Sequence, residues 1–504
     1  MPARILGLGL VVAVAVLVIR SSSDEAPSES VRPATPSALS ARPNLVVVMT
    51  DDQTVGSFNP EVMPQTHEFF SARGVIFNQA IAAPPLCCPS RAGFLTGRYA
   101  HNNGVVDNTI GYGSLRGKGQ TLPVALAAAG YRTGMFGKFL NGYGPAGGTQ
   151  AAPGFDRWLA TYGYADYFNY QVSDDGELRT VPEYSTRYFT TEAIGFTREA
   201  AEDSAPFFLW LSYNAPHTVL PGYPPPCDGL AAQPSSAEVF SEFADSPLPR
   251  PPSFNEADTS DKPQLTNPPL REREIREIEQ GWRCNLAAMR DVDTELHRLL
   301  DHLERDGELE NTVVVYLSDN GYYYGEHRLT TDKRLPLEPA LRIPMAISVG
   351  GARPSASAPP ELDLLVSQVD IAPTLADYAG VEPCDRETSC LPYDGRSLRG
   401  PLEGVQAGWP ADRAIPMVLA DGWTYQALRT PDELYMEISE NRKGPLPEPA
   451  IELYDLAADP DQLENLAASP DPETEARLRE LAARLERLQS CTGHAQGSAP
   501  PPCD

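Results

Sequence analysis

The chain has 504 residues, of which 41% are hydrophobic and 8% aromatic, as in a globular protein with a large core. Its 68 acidic residues outnumber 40 basic ones and give a formal net charge of −28, which argues against nucleic acid as a partner. A negative field also repels anionic substrates, so any anion site must be built locally from a metal ion or clustered Lys and Arg.

The N-terminal residues are typical of a targeting segment. An uninterrupted apolar run covers 5–19 and is preceded by one basic residue, Arg4. Such a run suits the core of a signal peptide and is shorter than the roughly 20 residues that span a bilayer comfortably. No clear cleavage site follows, so residues 1–20 are interpreted as either a signal peptide or an uncleaved signal anchor. Residues 21–43, rich in Ser, Pro and Ala, are predicted to be a disordered linker.

Either form of the targeting segment predicts a secreted or cell-surface protein. The chain has no Asn-x-Ser/Thr sequon, which favours a bacterial source over a glycosylated eukaryotic one. Contact with a membrane is expected only through an N-terminal anchor.

The first predicted strand is Asn44–Thr50, an apolar run rich in β-branched residues, as expected for a buried parallel strand. Asp51 and Asp52 follow it directly. Adjacent carboxylates at a strand end can bind a hard cation, although taken alone the pair also fits an ordinary turn.

Two adjacent cysteines, Cys87 and Cys88, lead into Pro89-Ser90-Arg91 and then into Leu95-Thr96-Gly97-Arg98. Pro89 fits the first position of a helix, which would place Cys87 just before a helix N-terminus, where anions are favoured. The Cα atoms of adjacent cysteines are too close for a relaxed disulfide, and no Cys/His enzyme signature surrounds the pair. Cys87 is therefore a core residue, half of another disulfide, a thiol nucleophile or a site of modification, and Cys88 is interpreted as a small buried residue.

Strands and helices alternate further along the chain. Helices are predicted at Thr121–Ala129 and, with apolar residues at three- and four-residue spacing, at 278–303. Further buried strands are predicted at Tyr131–Phe136, Phe207–Tyr213, Val313–Leu317 and Ile343–Val349. The pattern predicts an α/β fold with a large, mostly parallel central sheet, in which ligands bind beyond the carboxyl ends of the strands. Residues 218–273, rich in Pro and acidic residues, are predicted to form a lid or a substrate-binding excursion.

A second acidic cluster, Ser318-Asp319-Asn320-Gly321, follows the strand at Val313–Leu317. By itself it also fits a turn, but two such clusters after two buried strands are far less expected by chance. Three converging carboxylates would repel one another unless a cation lay between them. The oxygen-only set selects Ca²⁺ or Mg²⁺ over Zn²⁺ and consists of Asp51, Asp52, Asp319 and Asn320.

After about residue 400 the pattern changes to a smaller α+β unit with a short antiparallel sheet. Its predicted strands are Tyr425–Arg429, Leu434–Ile438 and Ile451–Tyr454, and a charged helix follows at Glu473–Gln489. The chain has 8 cysteines, and disulfides are the default in an exported protein. The expected pairs are Cys227 with Cys284, Cys384 with Cys390 and Cys491 with Cys503.

These motifs, in this order, resemble the type I sulfatases. The family signature, Cys-x-Pro-x-Arg, is matched by Cys87 to Arg91, and Leu95 to Arg98 continues it. The resemblance covers Asn44 to Ala467 and includes Asp51-Asp52, Gly137-Lys138, Pro216-His217, Ser318 to Gly321, Asp332-Lys333-Arg334, Glu452 to Leu456, Asp459-Pro460 and Asn465-Leu466. The doubled cysteine, together with His101 to Thr109 and Gly137 to Asn141, is most similar to the N-acetylglucosamine-6-sulfatase branch. Many arylsulfatases have a histidine shortly after the residue equivalent to Lys138, where this chain has Asn141.

The resemblance implies an alkaline-phosphatase-like sandwich and hydrolysis of sulfate esters, with the 6-O-sulfate of N-acetylglucosamine or glucosamine as the leading candidate substrate. It implies that a formylglycine-generating enzyme oxidises Cys87 to formylglycine (3-oxoalanine), which acts as a hydrate. Ca²⁺, rather than Mg²⁺, would be bound by Asp51, Asp52, modified Cys87, Asp319 and Asn320.

The resemblance also implies roles for the remaining motif residues. Arg91 would steady the hydrate, and Lys138 and Lys333 would bind sulfate and neutralise its developing charge. His217 would bind sulfate and protonate the leaving alcohol. Asn108 and Asn141 are candidate substrate contacts.

The implied organisation is a catalytic domain at 44–405, a C-terminal subdomain at 406–490 and a Cys/Pro-rich tail at 491–504. A sulfated saccharide is the expected partner, and nucleic acid is not. Two alternatives stay open. One is a phosphodiesterase or phosphonate hydrolase of the same superfamily, and the other is a non-catalytic surface protein that binds sulfated glycans with an unmodified cysteine.

Overall fold

The computed structural model describes residues 39–40, 42–144, 148–164, 166–219, 221–229, 231–262, 264–330, 332–352, 359–381, 393–491 and 503. The strands are β1 (Asn44–Thr50), β2 (Gly74–Ile81), β3 (Arg132–Gly137), β4 (Arg157–Thr161), β5 (Tyr170–Asp174), β6 (Glu177–Val181), β7 (Phe207–Ser212), β8 (Thr312–Ser318), β9 (Met345–Val349), β10 (Glu361–Ser367), β11 (Ile415–Ala420), β12 (Thr424–Arg429), β13 (Glu433–Asn441) and β14 (Gly444–Asp455). The helices are α1 (Pro64–Arg73), α2 (Cys87–Thr96), α3 (Ala100–Asn103), α4 (Leu122–Ala128), α5 (Ser185–Glu202), α6 (Ala237–Ser241), α7 (Glu272–Arg305), α8 (Glu338–Leu341), α9 (Ile371–Ala379), α10 (Arg399–Leu402) and α11 (Pro472–Gln489).

The larger sheet has ten strands in the order β10-β2-β9-β8-β1-β7-β3-β4-β5-β6. The central run from β8 to β4 is parallel throughout, which confirms the predicted α/β fold with a mostly parallel sheet. β9 was expected to join this pattern, but it pairs antiparallel with both β8 and β2. Among its described residues, the connection from β8 to β9 contains one short helix, α8, and no long helix of the kind that usually crosses over between parallel neighbours.

The strand β1 shows why the central strands read as unbroken apolar runs. Leu45, Val47 and Met49 pack on one face, in the apolar cluster that includes residues of α2, α4 and α9. Val46 and Val48 pack on the other, in the cluster that includes residues of α1, α5 and α7. Since both faces are covered by helices, every residue of β1 is buried.

The predicted C-terminal antiparallel sheet is confirmed and has the order β11-β12-β13-β14. The strand β11 was not anticipated. Leu481, Leu485 and Leu488 of α11 pack against Leu428 of β12 and Leu453 of β14 on one face of this sheet. The division of the chain at residues 405 and 406 stays a prediction.

Two of the expected disulfides are present, Cys227–Cys284 and Cys491–Cys503. Cys384 and Cys390 lie outside the described residues. No helix in the described ranges is long and apolar enough to cross a membrane, and the apolar run at 5–19 lies outside those ranges.

A buried ion pair joins the segment before β11 to the larger sheet. Arg413 donates to both oxygens of Asp370 at 2.7 and 2.8 Å, and both side chains are fully buried. We expect Arg413→Ala to lower the free energy of unfolding in urea by about 3–5 kcal/mol, because it leaves a buried carboxylate without its counter-charge. The control Arg479→Ala removes an exposed pair with Glu475 and should cost less than about 1 kcal/mol. Equal losses in the two variants would contradict this role.

Candidate active site

The candidate site lies at the carboxyl edge of four neighbouring strands, β8, β1, β7 and β3. Asp51 and Asp52 follow β1, and Asp319 and Asn320 follow β8. The two acidic clusters meet, since the Asp52 amide donates to Asp319 Oδ1 at 3.2 Å. Lys138 follows β3, and its amide donates to the carbonyl of Ser212, the last residue of β7, at 2.9 Å.

Cys87 is the first residue of α2, so the helix begins two residues earlier than the position of Pro89 suggested. Its side chain is 1% exposed, and Sγ lies 3.6 Å from Asp51 Oδ1. Burial raises the pKa of the Cys87 thiol to about 12, against the opposing effect of Lys138 and Lys333. A thiol in this setting is protonated at neutral pH and is a poor nucleophile as it stands.

Arg91 lies one helical turn after Cys87 and connects three strand ends. Its Nε donates to Asp319 Oδ2 at 2.7 Å, and its Nη1 donates to Ser212 Oγ and to the Lys138 carbonyl, each at 2.7 Å. Burial opposes the charged guanidinium, but Asp319 and Asp51 outweigh it and raise the pKa of Arg91. Ser212 was not singled out from the sequence, and its position at the end of a buried strand was the available signal.

The two lysines both pair with carboxylates of the first acidic cluster. Lys138 Nζ donates to Asp51, and Lys333 Nζ donates to both oxygens of Asp52. Burial alone would raise the pKa of Asp51, but the attraction of Lys138 and other nearby cations lowers it well below its usual value. Burial and the neighbouring Asp51 raise the pKa of Asp319 to about 6.

His217 completes the cluster. Its Nδ1 lies 2.6 Å from the carbonyl oxygen of Thr218, and its Nε2 lies 3.7 Å from Asp52 Oδ2. A ring held this way donates Nδ1–H to the carbonyl and turns Nε2 towards the carboxylates. Burial, reinforced by the positive charge of Lys333, lowers the pKa of His217 to about 4.

The two asparagines flank the start of α2. Asn108 Oδ1 accepts a hydrogen bond from the backbone amide of Cys88, in the first turn of α2, at 2.9 Å. The Asn141 backbone carbonyl lies 3.6 Å from Cys88 Sγ. Their contact with substrate stays a prediction. Two other histidines lie outside the cluster: His327 pairs with Glu256 at 2.7 Å, and His101 lies 4.0 Å from Cys491.

The oxygen donors of the site fit a hard cation. Asp51 and Asp52 each offer a carboxylate oxygen, and these oxygens lie within 4.8 Å of each other and of ligand atoms of Cys87 and His217. Asn320 Nδ2 donates to Asp52 at 2.7 Å, but its buried Oδ1 has no hydrogen-bond partner among the described residues. A buried carbonyl oxygen beside carboxylates is the kind of ligand that Ca²⁺ takes.

Fold and site together define an ester hydrolase with an α/β architecture that acts on anionic esters, with carboxylates, lysines and a histidine gathered around buried Cys87. The chain matches the Sulfatase family model over residues 43–381. It is 32% identical to N-acetylglucosamine-6-sulfatase of Capra hircus, over 90% of this chain and 84% of the goat protein. The chain therefore belongs to the sulfatase family and is a sulfuric ester hydrolase.

Two solved structures are similar in fold. One is a protein in complex with its substrate D-glucosamine-2-N,6-O-disulfate, with a TM-score of 0.68, 25% identity, and coverage of 89% of this chain and 97% of that one. The other is the phosphonate monoester hydrolase of Agrobacterium radiobacter, with a TM-score of 0.65, 21% identity, and coverage of 89% and 96%. The likeness supports the alkaline-phosphatase-like architecture that the resemblance implied.

Proposed function

We propose that this sulfatase hydrolyses the 6-O-sulfate of N-acetylglucosamine or glucosamine residues in sulfated glycans. The observation that carries the proposal is the position of Lys138, Lys333 and His217 around the buried Cys87 side chain. Two cations and an imidazole can bind a sulfate there, and the imidazole can protonate the leaving alcohol. The goat relative carries this activity in its name, and the ligand-bound structure holds a glucosamine sulfated at O6.

We infer that Cys87 is the precursor of formylglycine, made by a formylglycine-generating enzyme. As a hydrate, that residue would supply two geminal hydroxyls: one to attack sulfur as the ester S–O bond to the alcohol breaks, and a second that loses its proton as the C–O bond to sulfate breaks and the aldehyde re-forms. The protonated thiol of Cys87 itself offers no comparable nucleophile. Ca²⁺ would be held by Asp51, Asp52, Asp319, Asn320 and residue 87, and would supply a Lewis acid.

The remaining roles follow from where the side chains lie. Lys138 and Lys333 bind the sulfate oxygens and stabilise charge that develops on them in the transition state. His217 presents Nε2 to the cluster. In the imidazolium form, which the negative charge of a bound sulfate ester favours, this nitrogen would pass a proton to the leaving alcohol. Arg91 bonds Asp319, Ser212 and the Lys138 backbone, so it holds the strand ends in register around residue 87.

The two described disulfides support a secreted or cell-surface location, because such bonds persist in oxidising compartments. An N-terminal signal peptide or anchor within residues 1–20 would deliver the chain there.

The proposal is tested with a panel of esters and the purified, natively matured enzyme. We expect N-acetylglucosamine-6-sulfate to release sulfate with a kcat/KM at least roughly a hundred-fold above that of 3-O-sulfated glucosamine, of a phosphodiester and of a phosphonate monoester. A sulfate attached at another position of the sugar would not reach Lys138, Lys333 and His217 together, so it would be bound and cleaved less well. Faster phosphonate or phosphodiester cleavage would favour the hydrolase alternative. Glycan binding without sulfate release would favour the non-catalytic one.

A further inference from the structure

A cavity of about 540 Å³ lies beside the candidate active site, with Thr218, Pro226, Asp228 and Ala231 on one side and the N-terminal half of α7 on the other. This volume falls in the range of roughly 300–1,000 Å³ that small-ligand sites occupy. The Cys227–Cys284 disulfide links its two walls, so they are covalently fixed to each other. The cavity is therefore a built feature of the fold.

The cavity adjoins the catalytic cluster at Thr218 and Tyr322. Thr218, which lines it, accepts the Nδ1–H of His217 on its carbonyl oxygen. Tyr322 also lines it, and Lys333 Nζ lies 6.0 Å from the centre of the Tyr322 ring. A group attached to an alcohol that leaves towards His217 would enter this space.

The lining carries an unused hydrogen-bonding group. Asn285 is 2% exposed and donates through Nδ2 to the Tyr324 hydroxyl, but its Oδ1 has no partner among the described residues. A buried amide oxygen without a partner is costly, and a hydroxyl-bearing ligand would satisfy it. Together with the lining tyrosines, this matches the alternating polar and apolar surface of a sugar.

The charges around the cavity are mainly acidic. Among its described lining residues, Asp228, Glu274 and Glu277 are acidic and Arg273 is basic. Arg273 lies 3.6 Å from Glu277, so its charge is already matched, and Glu274 pairs with Arg271. Asp228 is exposed and has no ion-pair partner among the described residues, so its carboxylate would repel a sulfated or uronic acid unit.

We propose that this cavity is the subsite for an uncharged saccharide unit attached to the sulfated sugar. The inference rests on the proposed function and adds the chemical class of the neighbouring residue in the glycan. The acidic lining would select against acidic neighbours, while Asn285 and the tyrosines would bind a neutral one.

The test compares three substrates: N-acetylglucosamine-6-sulfate, the same sugar linked to a neutral hexose, and the same sugar linked to a uronic acid. For the wild-type enzyme we expect the neutral disaccharide to have a kcat/KM roughly ten-fold above both others. Asp228→Lys should raise kcat/KM for the uronic acid disaccharide roughly five-fold and leave the monosaccharide unchanged. Asn285→Leu should lower kcat/KM for the neutral disaccharide to the monosaccharide level.

The control is Glu177→Lys, an equal charge reversal at an exposed position of β6 that does not line the cavity. If Asn285→Leu does not fold, Asp228→Lys still tests the subsite, because Asp228 is exposed and its replacement should not disturb the core. Equal rates on all three substrates, unaltered by Asp228→Lys, would overturn the subsite while the proposed function stands. Absence of sulfate release from every substrate would instead overturn the proposed function.

Discussion

Replacing Cys87 with alanine is expected to abolish sulfate release, to below about one part in 10⁴ of the wild-type kcat/KM, because the residue is itself the reactant. The fold should survive, since the change removes one sulfur atom from a side chain that contacts Asp51 and supports little of the apolar core. Sulfate release and circular dichroism measured on the same preparation separate these two effects. In the wild-type protein, intact-mass analysis should find the Cys87 peptide lighter by about 18 Da, the mass difference between cysteine and its aldehyde.

The adjacent cysteine provides the matched control. Cys88 is also fully buried in α2, but its Sγ faces the Asn141 carbonyl and the apolar cluster instead of the carboxylates. Cys88→Ala should therefore keep sulfate release within about ten-fold of wild type and lose only packing. An unmodified Cys87 thiol in an active enzyme, or equal loss of activity in the two variants, would contradict the assignment.

Replacing His217 with glutamine is expected to lower kcat/KM on a sugar 6-sulfate by about 10²–10⁴-fold, the range of a lost general acid. On an aryl sulfate the loss should be much smaller, because a phenolate leaves without help from a proton. Initial rates on the two substrates measure this difference directly. The comparison distinguishes proton donation from sulfate binding, which the two substrates share.

His297→Gln serves as the control, since that histidine is an exposed residue of α7 that pairs with Asp301. It should leave both rates unchanged. A loss of the same size on both substrates for His217→Gln would assign this histidine to sulfate binding alone.

The outline of the fold and the position of the acidic clusters could be predicted from the sequence. The strands β1 and β8 are buried on both faces, so they are visible as unbroken apolar runs, and the residues after them had to lie at one sheet edge. The direction of β9 could not be predicted, because apolar periodicity is the same in parallel and antiparallel strands. The strand β6 was missed since most of its residues are exposed and polar.

The partners of individual side chains were harder to foresee. The resemblance implied that Arg91 steadies the hydrate at residue 87, but it gave no sign of the partners the structure shows, which are Asp319, Ser212 and a backbone carbonyl. Those contacts depend on which strands are neighbours in the sheet. The assignments of Lys138, His217 and Lys333 came from the family resemblance, since a single Lys or His in a loop carries no local signal.

The burial of α2 bears on whether Cys87 is modified before or after the chain folds. All ten residues of this helix, Cys87–Thr96, are buried in the folded protein. An enzyme that modifies Cys87 would need access to its side chain, which is 1% exposed in the folded protein. Maturation would therefore precede folding, and a chain that folded too early would stay permanently inactive however correct its structure.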